Sequence, residues 1–333
     1  MGATRLRSAF SHHLLLHGSD DELLSTVVPF LRVGVRADQG VVVCCRAHTT
    51  GLLQGELGRD GQVVYLDYDE TYNTPIAAIA TYQQLIDQYL AAGSDHVRVV
   101  AEAVYDRAPD QRVEWSRYEA VANRAMQPYP VSAVCLYDTR QIPTDMLEAG
   151  RLTHPTLITG ASRSDNPDYI EPGEFLRRTN QPPPDPLEHK PPDLEMDRVT
   201  DLDEMRRQLE ACLFRTTHMA HEATDVILAA NEVTTNAIRH GRPPVTLRLW
   251  VEPDRCVCTV TDQGTGIDDP FAGYIWPGSL SKIATHGMGL WLARRLCDRV
   301  DIFRAHEGFT VRLMIKRGHT SPRVVHHAPM PAV

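Results

Sequence analysis

The sequence predicts two folded units of different class: an α/β domain over residues 6–171 and an α+β domain over residues 194–317. Three observations carry this. In the first half, short apolar runs alternate with helix-length stretches, the pattern of a doubly wound sheet. In the second half, two amphipathic helices precede β-rich segments punctuated by Gly-rich turns. Between them, residues 172–193 are crowded with proline, including Pro182-Pro183-Pro184. That composition favours extended chain and is not expected to join a core. A length of 333 residues accommodates both units.

The first-half strands are expected at 41–45, 63–66, 96–101 and 131–137, with helices over 20–33, 74–92 and 115–126 between them. Ligands of such sheets sit at the strands' carboxyl ends. No phosphate-binding Gly-rich loop ending in Lys-Ser/Thr follows the expected first strand. Cys44-Cys45-Arg46-Ala47-His48 stands there instead, so nucleotide binding in this half is unsupported. His12, His13, His17, Cys44, Cys45, Cys135 and His154 are metal-ligating residue types, but none forms a pair at a recognised ligand spacing. Packing and structural roles account for them on sequence grounds. Glu102, Glu114 and Glu119 with Tyr118 form a candidate polar cluster; a solvated helix face explains the last three equally well.

The second half opens with a helix whose apolar positions are Leu202, Met205, Leu209, Cys212 and Leu213. The next helix, 222–239, carries an apolar stripe of Val226, Ala229, Ala230, Val233 and Ala237. Glu232 and Asn236 stand four apart on one face of it. A carboxamide oxygen suits Mg²⁺, which bridges nucleotide phosphates, and a carboxylate one turn away can take a proton from an attacking hydroxyl. Arg239, three residues further, can pair with phosphate. A strand over 256–261 then ends in Asp262-Gln263-Gly264-Thr265-Gly266. Asp262 can accept from an exocyclic amine, while Gly264 and Gly266 let a ligand approach the backbone closely. A simple β-turn is the alternative. After a loop over 268–285 that holds Lys282, Gly287-Met288-Gly289 runs into a helix over 290–299, whose free N–H groups suit phosphate. A hairpin around His306-Glu307-Gly308, with strands 300–305 and 309–316, closes the domain.

Asn231 to Gly241, Thr261 to Ile267 and His286 to Arg294, in this order and spacing, resemble the N, G1 and G2 boxes of the GHKL ATP-binding fold, a Bergerat-type α+β sandwich. The resemblance implies ATP and Mg²⁺ as cofactors. It implies Asn236 as magnesium ligand, Glu232 as general base and Asp262 as adenine reader. Arg239, Gly264, Gly266, Lys282, Gly287, Gly289 and Thr310 would be nucleotide contacts, and 268–285 the lid. A histidine-kinase reading is not supported: His221 lies fifteen residues before Asn236 on one expected helix, which leaves no room for a phosphoacceptor hairpin, so His221-Glu222 is expected to be helix surface. The seventeen residues after Lys316 leave no room for a gyrase-type transducer. The compact module is similar to the anti-sigma-factor serine/threonine kinases. That implies a sigma factor and an anti-sigma antagonist of STAS type as partners. The alternative is an ATP-binding, sigma-sequestering adaptor with little turnover.

His12-His13, Val100-Ala101-Glu102, the 114–120 stretch from Glu114 to Ala120, Cys135-Leu136-Tyr137-Asp138 and His154-Pro155 together resemble the MEDS sensory domain over residues 10–172. That resemblance implies a RecA-like module without a working phosphate loop and a role in signal input. It leaves open a small-molecule ligand for this domain and a homodimer.

Composition sets outer bounds. A net charge of −9 argues against direct nucleic-acid binding. Seven cysteines without a pattern suggest a reduced, cytoplasmic protein, with Cys256 and Cys258 packing on one strand face. No signal peptide and no membrane-spanning stretch are expected, since Leu14-Leu15-Leu16 is too short for either. Residues 318–333 read as a disordered tail.

Overall fold

The computed structural model describes residues 10–58, 61–160, 162–215, 221–275 and 288–318. Contacts divide the chain into two units, with the break between Phe175 and Leu176.

The first unit is built on a seven-stranded sheet of order β3-β2-β4-β5-β1-β6-β7. Its strands are β1 (Ser11–His17), β2 (Gly40–Cys44), β3 (Val64–Tyr65), β4 (Val97–Glu102), β5 (Val131–Asp138), β6 (Thr156–Thr159) and β7 (Ser162–Asp165). All pairings are parallel except β6 with β7. The helices are α1 (Asp20–Arg36), α2 (Ala47–Leu57), α3 (Tyr68–Thr71), α4 (Pro75–Ala91), α5 (Pro109–Ala125) and α6 (Thr144–Thr153). Period-2 alternation divides the strand side chains. Leu15, Val41, Val43, Val100, Val134 and Leu136 pack with Leu23, Val27 and Leu31 of α1 and Leu53 of α2. The alternate set, including His12, Val99, Ala101, Ala133 and Cys135, lines a cavity with Tyr82 of α4 and Tyr118 of α5. Helices therefore cover both faces.

One strand departs from the sequence expectation. The first strand is β1, not the run at 41–45, and it lies between β5 and β6. The turn after it, Gly18-Ser19-Asp20, is where a phosphate loop would stand. Asp20, Asp21 and Glu22 fill the first turn of α1, and Glu22 Oε2 accepts from the Gly18 N–H at 2.8 Å. A carboxylate of the chain itself occupies that anion site, which disfavours phosphate there. At the end of β2, the Arg46 N–H likewise donates to Glu102 at 2.9 Å.

The second unit is a five-stranded antiparallel sheet of order β11-β12-β10-β9-β8. The strands are β8 (Leu194–Met196), β9 (Thr246–Val251), β10 (Arg255–Asp262), β11 (Arg299–Ala305) and β12 (Gly308–Lys316). Helices α8 (Leu202–Arg215), α9 (Ala223–His240) and α10 (Met288–Leu296) supply the rest of the core. Met205, Leu209, Val226, Ala230, Val233 and Ala293 meet Leu247, Leu249, Cys256, Cys258, Val260 and Leu313 on one sheet face. Cys256 and Cys258 are core packing residues as expected, and burial pushes the Cys258 thiol up to about 12. Glu222 is not helix surface: it is buried ahead of α9 and accepts from the Gly318 N–H at 2.7 Å.

The proline-rich stretch also departs from expectation. A short helix, α7 (Pro172–Thr179), begins it, and a 3₁₀ turn at Pro186–His189 follows. Leu187 packs with Trp250, Val257 and Met314, the strand residues that point away from the helices. Asp185 pairs with Arg255 at 3.1 Å, and Glu188 with Arg312 at 2.6 Å. The Pro183 carbonyl accepts from Arg312 at 3.2 Å, and the Lys190 carbonyl from the Trp250 indole at 2.9 Å. Proline prevents this segment from joining a ladder but leaves its carbonyls free to accept. It therefore lies on the sheet's second face as a strap.

Among the described residues no helix is long and apolar enough to cross a membrane.

Candidate functional site

Helix α9 links the three glycine-bearing segments, because its middle and its end each meet one of them. At its end, Gly241 follows the last turn and lies against the carboxylate of Asp262, the last residue of β10. A Cβ on Gly241 would stand 2.4 Å from Asp262 Cγ and 2.5 Å from the Ala237 carbonyl. A Cβ on Gly264 would stand 2.6 Å from Asp262 Oδ1. Asp262 is buried, and its Oδ1 accepts from the N–H groups of Gly264 at 2.6 Å and Arg242 at 3.1 Å. Among the described residues its Oδ2 makes no hydrogen bond, so it remains an acceptor for an incoming N–H.

In the middle of α9, Glu232 and Asn236 face the start of α10. A Cβ on Gly289 would stand 2.9 Å from Glu232 Oε2 and 3.0 Å from Asn236 Nδ2. A side chain at 289 would have to push the Glu232 carboxylate and the Asn236 carboxamide aside, so glycine lets both lie against the first turn of α10. The carboxylate and carboxamide thereby lie beside N–H groups of a helix start, where anionic phosphate is favoured. Both side chains are half-buried.

The G1 loop is held by contacts that sequence reasoning did not find. Arg304 of β11 donates to the carbonyls of Gly264 at 3.0 Å and Thr265 at 2.8 Å. The Gln263 side chain donates to the Glu307 carbonyl. Gly266 adopts φ +90°, and a Cβ there would stand 2.4 Å from the Phe309 ring. Thr310 is buried, its hydroxyl 2.9 Å from that of Thr261 across the β10–β12 ladder. Thr261 and Gly241 are thus further members of the site. Period-2 alternation along β10 signals the first; the helix-ending Gly signals the second.

Arg239 is exposed in the last turn of α9 and makes no contact among the described residues that joins it to Glu232 or Asn236. Lys282 and Gly287 lie outside the described residues, as does the 276–285 part of the expected lid. The part of that loop that is described is anchored: Gly273, at φ +78°, lies against the Leu290 backbone, and Arg294 stacks 3.6 Å over the Tyr274 ring. The residues that are described fit a nucleotide and a magnesium ion. A half-paired buried carboxylate closed in by glycines suits an adenine amine, and a carboxamide beside a helix start suits a phosphate-bridging hard cation.

Comparisons with known proteins find a match for each half of the chain. Residues 11–155 match the family model MEDS, the methanogen/methylotroph, DcmR sensory domain, and residues 196–315 match the histidine kinase-like ATPase domain. The chain is also similar to the serine-protein kinase RsbW of Bacillus pumilus (strain SAFR-032), 27% identical over 121 residues. The match covers 33% of this chain and 74% of that protein. The chain therefore carries a MEDS domain followed by a histidine kinase-like ATPase domain.

Proposed function

From a MEDS domain joined to a histidine kinase-like ATPase domain, we infer an ATP-dependent serine/threonine protein kinase of the anti-sigma type, governed by its N-terminal domain. The observation that carries this reading is the double seat of α9. Gly289 rests on Glu232 and Asn236, and Gly241 rests on Asp262. An adenine amine at Asp262 and phosphates at the start of α10 would then both lie along one helix.

In this reading Asp262 Oδ2 accepts from the adenine amine, while Gly264 and Gly266 admit the base. Asn236 would hold Mg²⁺, which neutralises charge on the transferring phosphoryl group when bound. Glu232 takes the proton of the attacking serine hydroxyl. Arg239, exposed and free to turn, meets phosphate from the solvent side, with Lys282 and Gly287 as further phosphate contacts. The similarity to a serine-protein kinase supports protein rather than small-molecule phosphorylation. The partners proposed are a sigma factor and a STAS-like antagonist carrying the target serine, in the cytoplasm.

Two measurements test this. Calorimetry with Mg²⁺ and ATP should give binding in the wild type that Asp262→Ala and Asn236→Ala each weaken; equal affinity in all three proteins refutes the assignment. Transfer of labelled phosphate from ATP to a STAS-like partner recovered from the host distinguishes a kinase from a sigma-retaining adaptor, which would hold its partner without transfer.

A further inference from the structure

Four residues that lie far apart in the sequence meet inside the N-terminal domain: His12 on β1, Glu119 on α5, Cys135 on β5, and His154 at the end of α6. All four are buried, and one ligand-type atom from each lies within 4.8 Å of the others. His12 Nε2 is 3.2 Å from Cys135 Sγ and 3.6 Å from Glu119 Oε2; His154 Nε2 is 3.6 Å from the same oxygen. Bonds of roughly 2.0–2.3 Å at the tetrahedral angle put ligand atoms about 3.3–3.6 Å apart around a zinc ion. Three edges of that tetrahedron are therefore close to their final length.

The hydrogen bonds around the cluster fix which imidazole nitrogen faces it. Asn123 Nδ2 donates to the carbonyls of Glu119 at 3.1 Å and Thr153 at 2.8 Å, so Asn123 Oδ1 is the acceptor end of that amide. His12 Nδ1, 3.2 Å from this oxygen, must carry a proton. His154 Nδ1 lies 2.8 Å from the Gly150 carbonyl and must also carry one. Neutral imidazoles so held direct both Nε2 lone pairs at Glu119 and Cys135. That is the outer arrangement by which proteins orient metal-binding histidines. Two lone pairs, a carboxylate and a sulfur converge there: Glu119 Oε2 and His154 Nε2 are buried without a hydrogen-bond partner, and the buried Tyr137 hydroxyl is the donor that faces Glu119.

We propose that His12, Glu119, Cys135 and His154 bind one divalent transition-metal ion of the zinc class in the N-terminal domain. Two imidazoles, one thiolate and one carboxylate form a donor set of borderline softness, suited to Zn²⁺ rather than to Mg²⁺ or Ca²⁺. A bound cation favours the ionised carboxylate and thiolate, so binding should release protons. His12, Glu119 and Cys135 also line the cavity beside Tyr82 and Tyr118, which supplies an entry path. The site is wholly separate from α9 and α10 in sequence and belongs to the other unit.

The test uses the full chain, stripped with chelator and titrated with Zn²⁺ or Co²⁺. One equivalent of ion should bind. Cys135→Ser and Glu119→Gln, both nearly isosteric, should each weaken binding by at least about 100-fold while circular dichroism is unchanged. Glu119→Gln keeps a donor for His154 or His12, so an ordinary hydrogen-bonded cluster would tolerate it. Zinc-edge absorption on the wild type gives a readout that needs no variant: one sulfur and three nitrogen or oxygen neighbours are expected. No bound zinc in folded protein, binding unchanged in both variants, or a coordination shell without sulfur would each overturn the proposal.

Discussion

Gly289 is the residue at which packing and proposed chemistry coincide. Gly289→Ala adds a methyl group 2.9 Å from Glu232 Oε2, the flexible end of a side chain rather than backbone. The carboxylate can therefore move aside. We expect little change in melting temperature but a marked loss of phosphate transfer, measured by single-turnover kinetics. Glu232→Gln should lower transfer about 10²–10⁴-fold, the range for loss of a general base, and leave ATP binding in place. Phosphorylation at the wild-type rate by a variant that binds ATP normally would remove Glu232 from that role. A second residue-scale expectation concerns acid stability. The Arg140 guanidinium holds the Asp138 carboxyl down at about 2, below its ordinary 3.8. A depressed folded-state value stabilises the protein above the ordinary one, and the contribution is lost as pH falls through about 2. The urea midpoint should therefore drop between pH 4 and pH 2, and Asp138→Asn should flatten that part of the curve.

Among elements, the strap is the informative case. Leu187 is 4% exposed and sits among Trp250, Val257 and Met314. Leu187→Ala should cost about 2 kcal/mol, the lower end for a buried leucine because this cluster is small and can collapse. Denaturant titration of the C-terminal unit measures it. A fragment starting at residue 194 discards Leu187 together with the Asp185–Arg255 and Glu188–Arg312 pairs, and should melt below one that starts at 176. Proline density made the strap read as a linker, because composition reports what a segment cannot pair with and not which carbonyls it offers. Strand β1 was hidden for a different reason. Its sequence, Ser11 to His17, sets three histidines around Leu14-Leu15-Leu16, so no polar–apolar alternation marks it. Helix α2 has few buried positions, Thr49 and Leu53 among them, and two glycines, so it lacks an apolar stripe. By contrast α9 and the closing hairpin were legible, since each pairs a clear period with a turn or glycine at its end, and α8 was legible from its apolar period alone.

At the scale of the whole chain, the two units have separate cores, and their proposed sites follow different logics. The proposed nucleotide site could be assembled from the sequence because Glu232, Asn236, Asp262 and the glycines fall in three short segments whose spacing is itself a signal. The four-residue cluster of the N-terminal unit was not, because His12, Glu119, Cys135 and His154 come from four elements that only the sheet order brings together. Residues 176–318 alone should bind ATP with Mg²⁺; a fragment with native circular dichroism that binds none would mean that the N-terminal unit completes the site. In the full chain, any influence of the N-terminal unit on phosphate transfer should be modest, on the order of 1–3 kcal/mol.

The strap also gives the protein a built-in optical probe. Trp250 is 5% exposed, and its indole N–H is bonded to the Lys190 carbonyl. Detachment of residues 183–190 would wet that ring before the helical face of the sheet is disturbed. Emission from Trp250, isolated by changing the other tryptophans to phenylalanine, should shift to longer wavelength at lower urea than the loss of far-ultraviolet ellipticity. Leu187→Ala should widen the gap between the two transitions. Coincident transitions in both proteins would mean that strap and sheet come apart as one cooperative unit.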